Sequence, residues 1–109
     1  MPPDLLEEVF ELNLQLEELR TQKKMGEDDP ALTEEIGRQK LELEQKLEEL
    51  LRELKYRWEM WDGMIQRAYN GQPVSEEERK QERDKMVDLL NRRNYIRNLL
   101  RDVNEVLEN

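Results

Sequence analysis

Only two short breaks interrupt the helical pattern of this 109-residue chain, and they limit how it can fold. In the first, MGEDDP, Gly26 can adopt the left-handed cap that ends a helix, and Asp29 can cap the start of the next one. The second, NGQPV, holds the Asn-Gly and Pro residues of a turn, and the Ser-x-x-Glu spacing of a capping box follows it from Ser75 to Glu78. The breaks therefore predict three helices, over about 4–25, 30–70 and 75–108.

The composition is typical of long, charged helices rather than of a sheet. Charged residues make up 41% of the chain and hydrophobic residues 36%, with only four Gly and four Pro. No run of β-branched residues and no alternating apolar segment predicts a strand. Because connections this short make neighbouring helices antiparallel, we predict an all-α fold, an antiparallel three-helix bundle that forms a single helical domain over residues 1–109.

The helices differ in length, and the difference predicts a projecting hairpin. At 1.5 Å per residue, the first helix is about 30 Å long and the middle one about 60 Å. The first helix can therefore cover only the near half of the hairpin that helices 2 and 3 form, from Ile36 to Leu51 and from Ile96 to Leu107. We expect the far half, Lys55 to Lys85, to project as a two-helix segment, which we name the arm.

Apolar residues three and four apart predict the face of each long helix that packs in the core. On the middle helix they are Ile36, Leu43, Leu47, Leu50, Leu54, Trp58, Trp61, Ile65 and Ala68. On the third helix they are Met86, Leu89, Ile96, Leu100, Val103 and Leu107, with Arg93 in one slot.

The arm contains KYRWEMWDGM, a cluster of aromatic residues and Met. Such a cluster is most often core. The alternative is a partner surface or a homodimer contact through Trp58 and Trp61, because a bare hairpin buries such large side chains poorly. Gly63 is expected to allow a bend or a close helix contact, and the charge run from Ser75 to Lys85 is expected to be a solvated helix face.

Missing residue types exclude several kinds of function. The chain holds no Cys and no His, which excludes thiolate nucleophiles, imidazole bases and the usual zinc and haem ligands. We therefore expect no enzyme activity and no metal or cofactor. The net charge of −9 argues against nucleic acid and anionic membranes as partners. No segment has the apolar length of a membrane span and no signal-peptide pattern opens the chain, so we expect a cytoplasmic protein.

The first helix carries two apolar lines, one more than packing against a core requires. With residues about 100° apart around the axis, the core stripe falls within about 40° of one line. It consists of Leu5, Val9, Leu12, Leu16 and Leu19. The second line, which we name the ridge, is formed by Leu6, Phe10 and Leu14 at i, i+4 and i+8. It borders a sector of acidic residues, namely Glu7, Glu8, Glu11 and Glu18.

Two interpretations of the ridge are open. In one, the helix lies deep in the groove between helices 2 and 3, and the whole apolar arc is buried. In the other, the ridge is exposed and docks a partner, where full burial of each side chain would be worth about 1.5–3 kcal/mol. The apolar arc from Leu19 through Leu5 to Leu14 spans more than about 200°, which is wide for one groove and favours partial exposure.

The opening stretch PPDLLEEVFELNLQLEEL resembles the start of the C-terminal domain of the J-type co-chaperone HscB family. That domain begins with a Pro-acidic-x-Leu-x-x-x-x-Glu-Leu-x-x-x-Leu-x-x pattern on its first helix. The third helix here, MVDLLNRRNYIRNLLRDVNEVLE, resembles the family's last helix, in which a basic-x-aromatic-aliphatic-x-x-Leu segment leads to an acidic amphipathic end. The resemblance covers the first and last helices and the three-helix order.

The resemblance implies a co-chaperone domain that binds an iron–sulfur cluster scaffold protein (IscU-like) and delivers it to an Hsp70-class chaperone. In the family, the scaffold docks on an apolar ridge of the first helix that acidic residues flank, with an aromatic residue of the third helix beside it. Matching motif positions carry this role to Leu6, Phe10 and Glu11. The further positions of the implied site are Glu7, Leu14, Glu18 and, at the aromatic position, Tyr95.

Contact with the Hsp70-class chaperone would need a J domain, and a chain without His has no His-Pro-Asp motif. We therefore expect the chain to be excised from a longer J-domain protein. The alternative function is a coiled-coil oligomerisation or effector-binding helical module unrelated to iron–sulfur assembly, which the heptad-like third helix and the Trp/Met arm favour.

Overall fold

The structure, a computed structural model, describes residues 3–108, with side chains from residue 5 onward, and consists of three α-helices in this range. Helix α1 spans Pro3–Lys24, α2 spans Pro30–Tyr69 and α3 spans Glu76–Glu108. The molecule is 67 Å long and 20 × 16 Å in cross-section, and the described residues contain no strand. The predicted all-α antiparallel bundle with a projecting hairpin is confirmed, and the predicted helix ends differ from the observed ones by at most one residue.

Both connections begin at a Gly in the left-handed region, where residues with a Cβ are strained. After α1, Gly26 has φ 73°; its N–H donates to the carbonyl of Lys23 at 3.1 Å, and the N–H of Glu27 donates to the carbonyl of Gln22 at 2.8 Å. The same pair of bonds closes α2 at Gly71, which has φ 77°. This is the Schellman motif, which satisfies the last carbonyls of a helix and turns the chain back sharply.

Side-chain caps start the two long helices as predicted. The Asp29 carboxylate accepts a hydrogen bond from the N–H of Leu32 at 3.1 Å, and the Ser75 hydroxyl accepts one from the N–H of Glu78 at 3.0 Å. The capping box is only half formed, because the Glu78 carboxylate pairs with Arg67 of α2 at 2.7 Å. That ion pair joins the two helices next to their connection.

The hydrophobic core of the described residues lies outside the arm, in the part of the molecule that we name the body. It draws on all three helices, because α1 lies over the near half of the hairpin. Its members are Leu12, Leu16, Leu19, Ile36, Leu43, Leu50, Leu54, Leu89, Ile96, Leu99, Val103 and Val106. The predicted core stripe of α1 is confirmed, with Leu5 also buried and Val9 packed at the edge of the core.

Helix α3 buries two residues that the predicted core face omits. Leu99 and Val106 are buried, whereas the predicted Leu100 and Leu107 are only partly buried. The carbonyl of Val106 accepts a hydrogen bond from the ammonium group of Lys23 on α1. In the body, α3 therefore packs against α1 as well as α2, and one apolar line cannot serve both neighbours.

The arm has almost no core of its own. Among the arm residues, all of which the structure describes, only Met64 and Glu82 are buried. The prediction that Trp58 and Ile65 are core residues is wrong, because both are exposed. The close helix contact expected at Gly63 is also absent from the described structure, since no atom of a neighbouring helix lies within 4 Å of the position that a Cβ would take there.

The charge run of the arm is not entirely solvated, which corrects that prediction at one residue. Glu82 is 7% exposed and pairs with Arg57 of α2 at 3.4 Å. It lies seven residues before Leu89, on the seam along which α3 faces α2. A carboxylate at this position needs a cation opposite it, and Arg57 supplies that cation.

Candidate partner-binding surface on α1

Two polar contacts fix how α1 lies on the hairpin. The ammonium group of Lys46 pairs with the carboxylate of Glu8 at 2.5 Å, and the side-chain amide of Gln39 donates to Gln15 Oε1 at 2.6 Å. Both pairs share one antiparallel register, because seven residues forward on α1 correspond to seven residues back on α2. This register turns the core stripe toward the hairpin and leaves the opposite side of α1 uncovered.

The ridge lies on that uncovered side. Leu6, Phe10 and Leu14 are 55%, 66% and 57% exposed. The interpretation in which a deep groove buries the whole apolar arc is therefore wrong. Of the other interpretation, the exposure of the ridge is confirmed, and the docking of a partner stays a prediction. Single exposed apolar residues are common on protein surfaces, but three in one line on one helix form a continuous strip.

A line of carboxylates runs beside the ridge. Glu7, Glu11 and Glu18 are all exposed, and they lie within about 40° of one another around the helix axis, next to Leu14. The negative field that they create favours a partner with a basic surface, and it acts mainly on the rate of encounter and on specificity.

Tyr95 takes a different position from the ridge. It is half-buried and lines a cavity of about 220 Å³ between α1 and the hairpin, together with Glu11 and core residues such as Leu12 and Leu99. Leu6, Phe10 and Leu14 do not line this cavity. The structure thus brings Glu11 and Tyr95 to one place, and presents the ridge as a separate, outward-facing strip.

One contact between helices escapes the sequence reasoning, which assigns Glu8 to the solvated acidic sector. Glu8 instead reaches Lys46, and both side chains remain partly exposed, so the pair contributes only about 0–1 kcal/mol. Its importance is geometric, because it helps to set the side of α1 that faces solvent. The sequence does contain a sign of this contact. One antiparallel alignment of α1 with α2 places Glu8 opposite Lys46 and also Gln15 opposite Gln39, and the side chains of each pair can bond to each other.

Comparisons of the chain with protein-family models, with curated proteins and with solved structures gave no match. Within residues 3–108, no group of three or more carboxylates is placed so that it could hold a metal ion. No helix in that range has the length and apolar character needed to cross a membrane. The chemistry that the described surface of α1 offers is an apolar strip with an anionic border.

Proposed function

We propose that this chain is a non-enzymatic recognition module that docks a partner protein on the ridge of α1. The observation that carries the proposal is the exposure of Leu6, Phe10 and Leu14 in one line, on a helix whose core stripe is already complete. Each side chain is about half covered, so burial of the remainder would contribute roughly 1 kcal/mol, about half of the value for full burial. Three such contacts form a docking anchor that the acidic border orients.

The resemblance to the HscB C-terminal domain supports an iron–sulfur cluster scaffold protein as the partner. That family docks its scaffold on the ridge of the first helix, and the residues at the matching positions are exposed in this chain. In the proposed complex, Glu7, Glu11 and Glu18 face a basic patch of the scaffold, and Tyr95 lies beside Glu11, away from the ridge. Delivery to an Hsp70-class chaperone then depends on a J domain outside this chain.

A calorimetric titration of the chain with an IscU-like scaffold protein tests the proposal. We expect Phe10→Asp to weaken binding by more than about tenfold, since it removes the central apolar contact and adds a charge that the partner must desolvate. Leu41→Asp is the matched control, because Leu41 is an apolar residue of α2 with a similar exposure of 62%. It should change the affinity less than about twofold.

Circular dichroism and thermal unfolding should be the same for both variants, because both residues are exposed. If Phe10→Asp keeps full affinity while the fold is intact, the ridge is not the docking surface. If the unsubstituted chain does not bind the scaffold at all, an iron–sulfur scaffold is the wrong partner.

A further inference from the structure

A second exposed apolar line runs along α2, where α1 no longer covers the hairpin. Leu51, Trp58 and Ile65 are each more than two-fifths exposed. They are seven residues apart, nearly two full turns of a helix, and therefore lie one behind the other. With the residues between them and Tyr69 near the end of α2, they form one face, which we name the arm stripe. It consists of Leu51, Lys55, Trp58, Asp62, Ile65 and Tyr69.

The arm stripe lies on the other side of the hairpin from α1. The α1 side of α2 is marked by Gln39 and Lys46, which contact α1. Trp58 lies about 100° around the helix axis from Gln39 and about 120° from Lys46, beyond the seam that faces α3. The arm stripe and the ridge are therefore separate surfaces, and a partner on one leaves the other accessible.

The charge of the chain is distributed unevenly between its two parts. Residues 55–85 carry seven acidic and seven basic side chains, so the arm has no net charge. The remaining residues carry twenty acidic and eleven basic side chains, which is the whole net charge of −9. Two bodies repel each other, whereas two arms can approach without net repulsion, so the arm is the part on which a second copy of this chain can dock.

We propose that the arm stripe is a self-association surface on which two copies pack antiparallel, with the two-fold axis beside Trp58. This symmetry places Leu51 against Ile65 of the second copy, and Lys55 against Asp62 of the second copy, each twice. A parallel pair would instead set Lys55 against Lys55 and Asp62 against Asp62, which is unfavourable. Within the described part of the chain, Lys55 and Asp62 have no ion pair of their own, so both are available to the second copy.

The available area suits a weak, reversible dimer. The face of the hairpin that carries the arm stripe is about 27 Å long from Leu51 to Tyr69. It is about 20 Å wide, because the adjoining side of α3 belongs to it as well as α2. The two copies together then cover about 1,100 Å², close to the lower limit of roughly 1,000 Å² for specific interfaces. We therefore expect a concentration-dependent equilibrium between monomer and dimer, which does not involve the ridge or its partner.

Sedimentation equilibrium of the chain alone, over a range of concentrations, tests the proposal. The unsubstituted chain should show a monomer–dimer equilibrium. Lys55→Asp or Asp62→Lys alone should weaken the dimer at least about tenfold, because like charges then face each other at both contacts. An equimolar mixture of the two variants should dimerise about as tightly as the unsubstituted chain, since every contact in the mixed pair again joins opposite charges.

Two control variants make the same charge changes on another face of α2. Arg52 and Glu59, the sites of Arg52→Asp and Glu59→Lys, lie about 120° and 100° around the axis from Trp58, and both residues are exposed. The two substitutions should leave the dimer unchanged within about twofold, and circular dichroism should show that all four variants are folded. A strictly monomeric unsubstituted chain, single variants that dimerise as well as it does, or a mixture no tighter than its components would each overturn the proposal.

Discussion

The body and the arm contain the same two helices, yet only one of them has a hydrophobic core. In the body, α1 closes the groove over the seam, and twelve buried apolar side chains form a single cluster. In the arm, where α1 is missing, the buried groups are Met64 and the carboxylate of Glu82, which Arg57 neutralises.

The difference shows what the third helix contributes. Two helices alone leave both sides of their seam open to water, so few side chains reach full burial, and an ion pair at the seam keeps part of its hydration. When α1 covers one side, the seam becomes an interior that apolar residues fill. Stability should therefore be concentrated in the body, and the arm should open locally at a lower free energy.

The largest expected effect is in the body. Leu16 is 1% exposed, and Leu16→Ala should lower the free energy of unfolding by about 2–5 kcal/mol, because it removes buried methyl groups and leaves a cavity. Leu14→Ala, two residues away on the exposed ridge, should change it by less than about 0.5 kcal/mol. Urea unfolding followed by circular dichroism measures both, and equal losses would mean that Leu16 is no more buried than Leu14.

A smaller effect is expected at the ion pair of the arm. Glu82→Ala leaves the mostly buried Arg57 without its partner and should cost about 1–3 kcal/mol. Replacing both residues by Leu should restore or exceed the original stability. Removing the two charged groups from water costs free energy, whereas removing two apolar side chains from water is favourable. Amide hydrogen exchange of the arm is the measurement. A double variant less stable than Glu82→Ala would show that the pair itself holds the arm together.

The smallest expected effects come from two Gly residues and have opposite signs. Gly63→Ala should raise the free energy of unfolding by about 1 kcal/mol, since its helix position has open space for a methyl group. Gly71→Ala should lower it by about 1–2 kcal/mol, because φ is 77° there. For a chain of this size each corresponds to a shift of several degrees in Tm. Shifts of the same sign would contradict the assignment of Gly71 to a left-handed cap.

Local signals account for what the sequence predicts well. Helix ends depend on caps within a few residues, and Asp29, Ser75 and the two left-handed Gly residues are recognisable from sequence alone. The two apolar lines of α1 follow from periodicity. The exposure of the ridge follows from the width of the apolar arc, which no single groove can cover.

The features that the sequence does not predict depend on how the helices are aligned side by side. Seven residues fall about 20° short of two helical turns, so the seam of α2 continues from Leu50 through Arg57 to Met64. The neighbouring line through Trp58 and Ile65 is more apolar and therefore looks like the core, although it faces solvent. The pairing of Glu8 with Lys46 and the position of Tyr95 likewise depend on how helices are placed side by side, which periodicity within one helix does not reveal.

The placement of the Trp residues makes their fluorescence a probe of one part of the molecule. Both Trp residues of the chain, Trp58 and Trp61, lie in the arm. Intrinsic Trp fluorescence therefore reports on the arm, whereas far-ultraviolet circular dichroism reports on all three helices. If the arm loosens before the body during unfolding, the Trp emission should change before the circular dichroism signal is lost. This measurement needs no added dye and no substitution.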